Sequence, residues 1–334
     1  MDEKEFIEKL KQLLESDIFP EIPHYSRDNM KNGERQTLLT QSLNFLIATR
    51  DFDSFEQYMT SGYRRSYPHY FPYQYLQEQK GLTRKEIEQI IYENYIQNGF
   101  LFHVTPSYNL DSIFDNGLQS LNDKYKCDLY QKSLEVEGIY ENIRRRNQGN
   151  FNNLFYPATL LRVPGFSKLP KERFNSVYLS SNLSYILNTY GHSSEFSNFF
   201  LNNLLESVNL SILGSPVRSK EEWKKIIISV LDEDKIKIKD EEIEKLFNYY
   251  DLIAEDEERD FNSTQTLLMI PTRTIQSNTS VFRNLYQKNQ LGLTTEHIVE
   301  YNDGEIETFG NIPPENIIAL TEEKGKKLSL RMKK

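Results

Sequence analysis

The segment from residue 100 to residue 118 constrains the fold of this chain more than any other part of the sequence. It begins with the apolar run Phe100–Phe102, which is typical of a short strand, and continues directly into His103 and Thr105. Apolar residues then recur at the spacing of an amphipathic helix: Leu110, Ile113 and Phe114. Gly117 is the expected stop of that helix. The segment therefore predicts a strand that carries a histidine at its polar end and passes at once into a helix.

The chain from residue 99 onwards alternates short strand candidates with polar turns, which favours an α+β fold for residues 99–330. The strand candidates are Phe100–Val104, Thr159–Val163, Ser176–Leu179, Leu267–Pro271, His297–Tyr301 and Ile317–Leu320. A strongly charged stretch at about 195–260 has helical spacing, and we expect it to be an insertion in this domain.

Residues 1–98 have a different texture, and we expect a mostly helical N-terminal domain of unknown role. Its apolar residues follow helical spacing in two stripes: Phe6, Leu10, Leu13 and Leu14, and then Leu38, Leu39, Leu43, Leu46 and Ile47. Thr83 stands three residues before Glu86, which is the spacing of a capping box at the start of another helix.

Composition excludes several classes of protein. The net charge of −9 argues against a protein that coats nucleic acid. The single cysteine, Cys127, excludes a disulfide framework and a zinc site with several thiolates, and the histidines lack metal-ligand spacing. The acidic start Met1–Glu5 does not have the form of a secretory signal, and no apolar run approaches the roughly 20 residues that span a bilayer. We therefore expect a cytoplasmic protein with no metal and no membrane partner. Export by a route without a cleaved signal stays open.

Three short fragments carry residues that are suited to chemistry. The first is the His103 segment. The second is Val177–Ser180, a strand candidate that contains Tyr178 and is followed by a helix leading to Tyr190. The third is Thr294–Tyr301, in which Glu296 precedes an Ile-Val pair. Each fragment alone has an ordinary structural interpretation, and it is their combination that points to a site.

In combination, these fragments resemble the ADP-ribosyltransferase family, in its His-Tyr-Glu branch of diphtheria-toxin-like and poly(ADP-ribose) polymerase-like proteins. The first fragment matches the family's strand-helix signature at His103, Thr105, Asn109, Ile113 and Gly117-Leu118. Tyr178 and Tyr190 resemble the two tyrosines of the branch, Glu296 its catalytic acid, and residues 311–317 the closing turn of the fold. The resemblance covers residues 99–325 in order and rough spacing, and residues 1–98 have no counterpart in it.

The resemblance implies a split β-sandwich, two facing and mostly antiparallel sheets with a cleft for NAD⁺, which is the substrate. In that cleft His103 would bind ribose hydroxyls, the Val104 backbone would hold the carboxamide, and Thr105 would support the ribose. The rings of Tyr178 and Tyr190 would enclose the nicotinamide. Asn109 and Ser180 complete the NAD⁺-binding set. The catalytic residues would be Glu296, His103 and Tyr178, with Glu296 stabilising the positive charge that develops on the ribose.

Three positions bear on the details of this assignment. Val104 stands where this branch has glycine, so its side chain would narrow the pocket or turn outward. Glu300 competes with Glu296 for the role of the catalytic acid, because residues four apart on a strand share a face. We favour Glu296 because it stands at the strand entrance. Thr294 occupies the position where the arginine-specific branch has an acid or glutamine, so nothing marks arginine as the target.

The expected activity is mono-ADP-ribosyl transfer from NAD⁺ to a protein or nucleic-acid acceptor, as in a toxin or defence effector that an inhibitor or antitoxin protein would restrain. No feature indicates elongation to a polymer. Two alternatives use the same fold, NAD⁺ hydrolysis and RNA 2′-phosphotransfer, although the second needs additional His and Arg residues that the strands do not supply. A third alternative is a non-catalytic interaction module that retains the cleft.

Overall fold

The described residues form helices and one antiparallel sheet, so this is an α+β protein, as the sequence predicts. The computed structural model describes residues 1–16, 32–60, 73–146, 171–180, 183, 186, 219, 221–222, 224–225, 228–229, 237–253, 265–275, 305–322 and 328–333. The helices are α1 Glu3–Leu14, α2 Asn32–Thr49, α3 Phe55–Thr60, α4 Tyr73–Lys80, α5 Arg84–Ile91, α6 Leu110–Asn116, α7 Leu121–Tyr125, α8 Leu129–Arg146, α9 Asp240–Ile253 and α10 Thr272–Ile275. A π-helix spans Tyr92–Gln97, and 3₁₀ turns span Ser107–Asn109, Lys171–Asn175 and Pro314–Asn316.

All strands in the described part of the chain belong to one six-stranded sheet, with the order β4-β2-β1-β3-β5-β6. The strands are β1 Phe100–Pro106, β2 Ser176–Ser180, β3 Gln265–Pro271, β4 Glu305–Phe309, β5 Ile318–Glu322 and β6 Leu328–Met332. Strand β1 lies in the middle of the sheet and pairs antiparallel with β3 along its whole length, from Phe100 opposite Pro271 to Pro106 opposite Gln265. The second of the two facing sheets that the resemblance implies stays a prediction.

Four of the predicted strands are confirmed as β1, β2, β3 and β5. The candidates Thr159–Val163 and His297–Tyr301 lie outside the described residues. Strands β4 and β6 were not predicted, and both lie at the edges of the sheet.

The described chain divides into two compact units. The first comprises 1–119, 177–191 and 264–334, and the second comprises 120–176 and 192–263. The domain boundary that we drew at residue 98 therefore falls inside the first unit. The physical reason is that the apolar stripe of α1 joins the core of the sheet. The Phe6 ring lies 5.5 Å from the ring of Phe100 at the start of β1, and both side chains are fully buried.

Helix α2 is the central helix of the first unit. Every residue from Leu39 to Ala48 is buried except the half-buried Asn44. This part of the helix is buried on all sides and has no solvent-exposed face. The apolar stripe that the sequence predicts is one of its buried sides. Ser42 is fully buried and donates to the sulfur of Met59 at 3.4 Å.

Gly117 ends α6, as predicted. It also lies in close contact with the backbone of Ile312, which is distant in sequence. Gly117 has φ +83°, and a Cβ at this position would lie 2.3 Å from the carbonyl oxygen of Ile312. Only glycine fits such a position. Next to it, Leu118 and Ile312 exchange two backbone hydrogen bonds of 2.9 Å. The helix start predicted at Thr83 is also confirmed, since the Thr83 hydroxyl donates to the Glu86 carboxylate at 2.6 Å.

The second unit contains α7, α8, α9 and the 3₁₀ turn Lys171–Asn175. Helices α8 and α9 are joined by an ion pair between Arg146 and Glu242, and the ring of Tyr130 on α8 packs edge-on against Phe174 at 5.7 Å. Helix α9 confirms helical structure in one part of the charged insertion. No helix in the described part of the chain is long and apolar enough to cross a membrane.

Candidate functional site

The predicted site residues on β1 and β2 lie on neighbouring strands. His103 is half-buried on β1, and its Nδ1 lies 3.0 Å from the backbone oxygen of Tyr178 on β2. A carbonyl oxygen only accepts hydrogen bonds, so the Nδ1–H of His103 donates to it. The contact therefore fixes the orientation of the ring.

Strands β1 and β2 stop pairing before Val104 of β1 and Tyr178 of β2. Their register pairs Phe102 with Ser180 and does not continue to Val104 and Tyr178, although both strands are fully described. In a regular antiparallel ladder the Tyr178 carbonyl would accept from the Val104 amide. Here it accepts from the imidazole of His103 instead. The histidine side chain thus takes the place of a ladder hydrogen bond where the two strands part.

The backbone of Val104 faces this separation. The amide of Thr272 donates to the carbonyl of Gly99 at 3.0 Å, in the same register that pairs Phe100 with Pro271. In an antiparallel ladder, residues that bond to one neighbour alternate with residues that bond to the other. Gly99 and His103 therefore direct their backbone groups to β3, whereas Val104 directs its N–H and C=O towards β2. Val104 presents a donor and an acceptor side by side where the ladder with β2 has stopped.

Side-chain alternation divides the predicted residues between the two faces of the sheet. Ser180 lies opposite Phe102, so Tyr178, Ser180 and Val104 share the face of Phe102. His103 and Thr105 lie on the other face. The structure therefore brings His103 to the backbone of Tyr178 and not to its ring. Ser180 and Val104 are buried, and Tyr178 is half-buried.

Asn109 supports the polar end of β1. It occupies the N-cap position of α6, but its side chain makes no capping hydrogen bond. Its amide nitrogen donates instead to the hydroxyl of Thr105 at 3.3 Å. A capping asparagine typically contributes about 1 kcal/mol to a helix. Here the side chain bonds to the strand end and not to the helix.

Two residues that the sequence reasoning missed belong to the same polar cluster. Thr266 of β3 lies directly opposite Thr105 and is almost fully buried. Its hydroxyl lies 2.9 Å from the hydroxyl of Ser107, in the turn that follows β1. The only signal in the sequence is a threonine before a run of four apolar residues. Without the register, that signal does not place Thr266 beside Thr105.

The remaining predicted residues, Tyr190, Glu296 and its competitor Glu300, lie outside the described residues, so their roles stay predictions. Within the described ranges, no three His, Cys, Asp or Glu side chains gather where they could hold a metal ion. The described part offers a histidine held against the Tyr178 carbonyl, a Val104 backbone directed to β2 beyond the paired part of the ladder, and a cluster of hydroxyls at Thr105, Ser107 and Thr266. This set can bind a planar amide and neighbouring hydroxyl groups.

Comparisons with protein-family models, with curated proteins and with solved structures give no match to this chain.

Proposed function

We propose that this protein is a mono-ADP-ribosyltransferase that uses NAD⁺ and modifies a protein or nucleic-acid acceptor. The observation that carries the proposal is the backbone of Val104 at the separation of β1 and β2. A carboxamide has one acceptor oxygen and a donor nitrogen, which are complementary to a neighbouring N–H and C=O of the main chain. The nicotinamide end of NAD⁺ carries such a group.

The histidine contact supports the same assignment. Because Nδ1 of His103 donates to the Tyr178 carbonyl, the imidazole is held at the polar end of β1, where the proposal has it bind ribose hydroxyls. Buried Thr105, held by Asn109, adds a further hydroxyl at the same strand end. A ligand with an amide at one end and ribose hydroxyls beside it matches these groups.

In the proposed reaction the bond between C1′ of the ribose and the nicotinamide nitrogen breaks, and the nicotinamide leaves with the bonding electron pair. The acceptor's nucleophilic atom forms the new bond to C1′ and loses its proton to the carboxylate of Glu296 or to water. The state between these events resembles an oxocarbenium ion. Glu296, as a carboxylate beside this centre, would stabilise the positive charge.

The finer features of the fold belong to the same proposal. They are a split β-sandwich with its cleft at the β1–β2 separation, a ring of Tyr190 opposite that of Tyr178, and an inhibitor or antitoxin protein that covers the cleft in the cell. Val104 shares a face with Tyr178, so its side chain would narrow the nicotinamide pocket.

The proposal is tested by incubating the full chain with NAD⁺ labelled in its adenylate part, together with a lysate that supplies acceptors. Label on protein or nucleic acid supports transfer. Release of free ADP-ribose alone indicates NAD⁺ hydrolysis, and a wild-type protein that consumes no NAD⁺ contradicts both activities.

The matched variants are Glu296→Gln and Glu300→Gln, each of which removes one carboxylate without changing side-chain size. We expect Glu296→Gln to lower the transfer rate by about 10²-fold or more, in line with the loss of one electrostatic group at a reacting centre. Glu300→Gln should retain the wild-type rate. The reverse result would assign the acid to Glu300, and full activity in both variants would remove this strand from the mechanism.

A further inference from the structure

We propose that Thr266 and Ser107 are positioning residues that hold the turn after β1 so that the Val104 backbone and the Thr105 hydroxyl are aligned for the substrate. This inference rests on the proposed function and extends it to two residues outside the predicted site. The two hydroxyl oxygens lie 2.9 Å apart and join β3 to the turn Ser107–Asn109.

The turn Ser107–Asn109 is joined to the sheet through side chains. Pro106 precedes it and donates no backbone hydrogen bond. The 3₁₀ turn receives no side-chain capping hydrogen bond, and neither does the start of α6. Side-chain hydrogen bonds from Ser107 to Thr266 and from Asn109 to Thr105 connect the turn to β3 and β1.

The position of Thr266 fits this role. It lies directly opposite Thr105 in the β1–β3 register, and the strand residues that follow it are Leu267, Leu268, Met269 and Ile270, all buried. A buried hydroxyl requires a partner, because desolvation without a hydrogen bond destabilises the fold. The Ser107 hydroxyl supplies that partner, so the polar pair fixes the distance between the turn and β3. A displacement of the turn would move Asn109 and Thr105 with it.

The sheet also contains a matched control. Thr321 of β5 and Ser329 of β6 form the same kind of hydroxyl pair, with oxygens 3.0 Å apart, and both lie on strands that do not contact β1 in the sheet order. Thr266→Val and Thr321→Val each remove one buried hydroxyl and keep the β-branched shape. A purely structural role would give the two variants similar effects on every measurement.

The experiment measures KM and kcat for NAD⁺ consumption, and the thermal midpoint, for the full chain carrying Thr266→Val, Thr321→Val, Thr266→Ser or Ser107→Ala. We expect Thr266→Val and Ser107→Ala each to raise KM about tenfold, because small misplacements of binding groups have effects of this order or larger. Thr266→Ser should restore the wild-type KM, and Thr321→Val should leave it unchanged. The double variant Thr266→Val with Ser107→Ala should be no worse than Ser107→Ala alone, because Ser107→Ala already removes the contact that Thr266→Val removes.

An unchanged KM in both Thr266→Val and Ser107→Ala, with NAD⁺ consumed by the wild type, overturns this inference and leaves the proposed function standing. A wild type that consumes no NAD⁺ overturns both. If Thr266→Val does not fold, Ser107→Ala decides, since Ser107 is half-buried and lies in the turn after β1, outside the strands.

Discussion

The two ends of strand β1 are built in opposite ways. At the first end, the ring of Phe100 packs against Phe6 of α1, and the guanidinium of Arg50 lies 4.1 Å from the centre of the Phe6 ring. At the other end, Val104 pairs with β3 but has no ladder pair on β2, and Thr105 belongs to a cluster of hydroxyls and an amide. One strand thus connects a dense aromatic core to a polar end that is paired on one side.

The difference shows how one strand combines a buried anchor with an end that is paired on one side. Aromatic side chains at the Phe100 end bury large apolar areas, which is the main favourable contribution to folding. The Val104 end lacks ladder hydrogen bonds with β2, and the proposed function uses its main-chain groups to bind NAD⁺. Pairing with β3 continues along the whole of β1, so the strand stays anchored at both ends.

The aromatic end of β1 also includes a mostly buried polar group, the guanidinium of Arg50. Burial of the guanidinium lowers the pKa of Arg50 to about 10, although the charge of Glu3 acts in the opposite direction. One terminal nitrogen donates to the backbone oxygen of Asn94 at 3.1 Å, and Nε and Nη1 meet no hydrogen-bond partner among the described residues. The aromatic rings beside the guanidinium partly compensate by cation–π interaction.

The largest expected effect at the aromatic end comes from Phe6→Ala. Removing a fully buried phenylalanine ring should lower the free energy of unfolding by about 3–5 kcal/mol, because it leaves a cavity. Urea unfolding followed by fluorescence measures this loss. The control Leu13→Ala, on the same helix but only partly buried, should have a smaller effect. Equal losses in the two variants would contradict the assignment of Phe6 to the core of the sheet.

A smaller effect is expected from His103→Ala at the polar end. Without the imidazole, the Tyr178 carbonyl can accept from the Val104 amide, and the ladder should extend by one hydrogen bond. Hydrogen exchange at the Val104 amide should then slow by roughly 3- to 10-fold, the equivalent of one net hydrogen bond. The Leu101 amide, directed to β3, should exchange as before. Faster exchange at Val104 would show that the histidine supports the pairing of the strands and does not replace it.

The smallest effect is expected from Asp51→Asn, which removes the carboxylate that forms an ion pair with Lys80. Burial acts to raise the pKa of Asp51, but hydrogen bonds from Lys80 and Ser54 outweigh it, so the pKa lies below its usual value. The carboxylate therefore stabilises the fold above its unfolded pKa of about 4, and this contribution is lost as pH falls through the lowered folded pKa.

At pH 7 the wild type should exceed Asp51→Asn by only about 0.5–1 kcal/mol in the free energy of unfolding, because the pair with Lys80 is partly exposed. The difference should vanish by about pH 2. Urea unfolding at several pH values measures it, and a difference that does not change with pH would assign the effect to packing.

The sequence predicts the local parts of this structure well. Three predictions that depend on neighbouring residues alone are confirmed. They are strand β1, the end of α6 at Gly117, and the capping pair of Thr83 and Glu86. Strand β4, with the sequence Glu305–Phe309, and β6, at Leu328–Met332, carry no comparable signal. Edge strands such as these are defined by the strand that they pair with, and not by their own composition.

The candidate site is only partly predictable for the same reason. His103, Thr105 and Asn109 are recognised from their spacing within one segment. The direction of the Val104 backbone depends on the register with β3, and the contribution of Thr266 depends on a pairing between residues 161 positions apart in the chain. No local pattern contains that information. Residues 1–98 are likewise predicted to form a separate domain, yet the ring of Phe6 packs against that of Phe100 in the core of the sheet.

The contact between Gly117 and Ile312 has a consequence for synthesis of the chain on the ribosome. The carbonyl that closes over Gly117 is translated about 200 residues after it, which takes on the order of 10–40 s at typical elongation rates. Strands β2 and β3, which flank β1 in the sheet, are also translated after β1. Until they emerge, β1 and the aromatic residues Phe6 and Phe100 are exposed. The nascent chain therefore exposes unpaired strands and apolar side chains, which chaperones bind, until the segment around Ile312 has emerged.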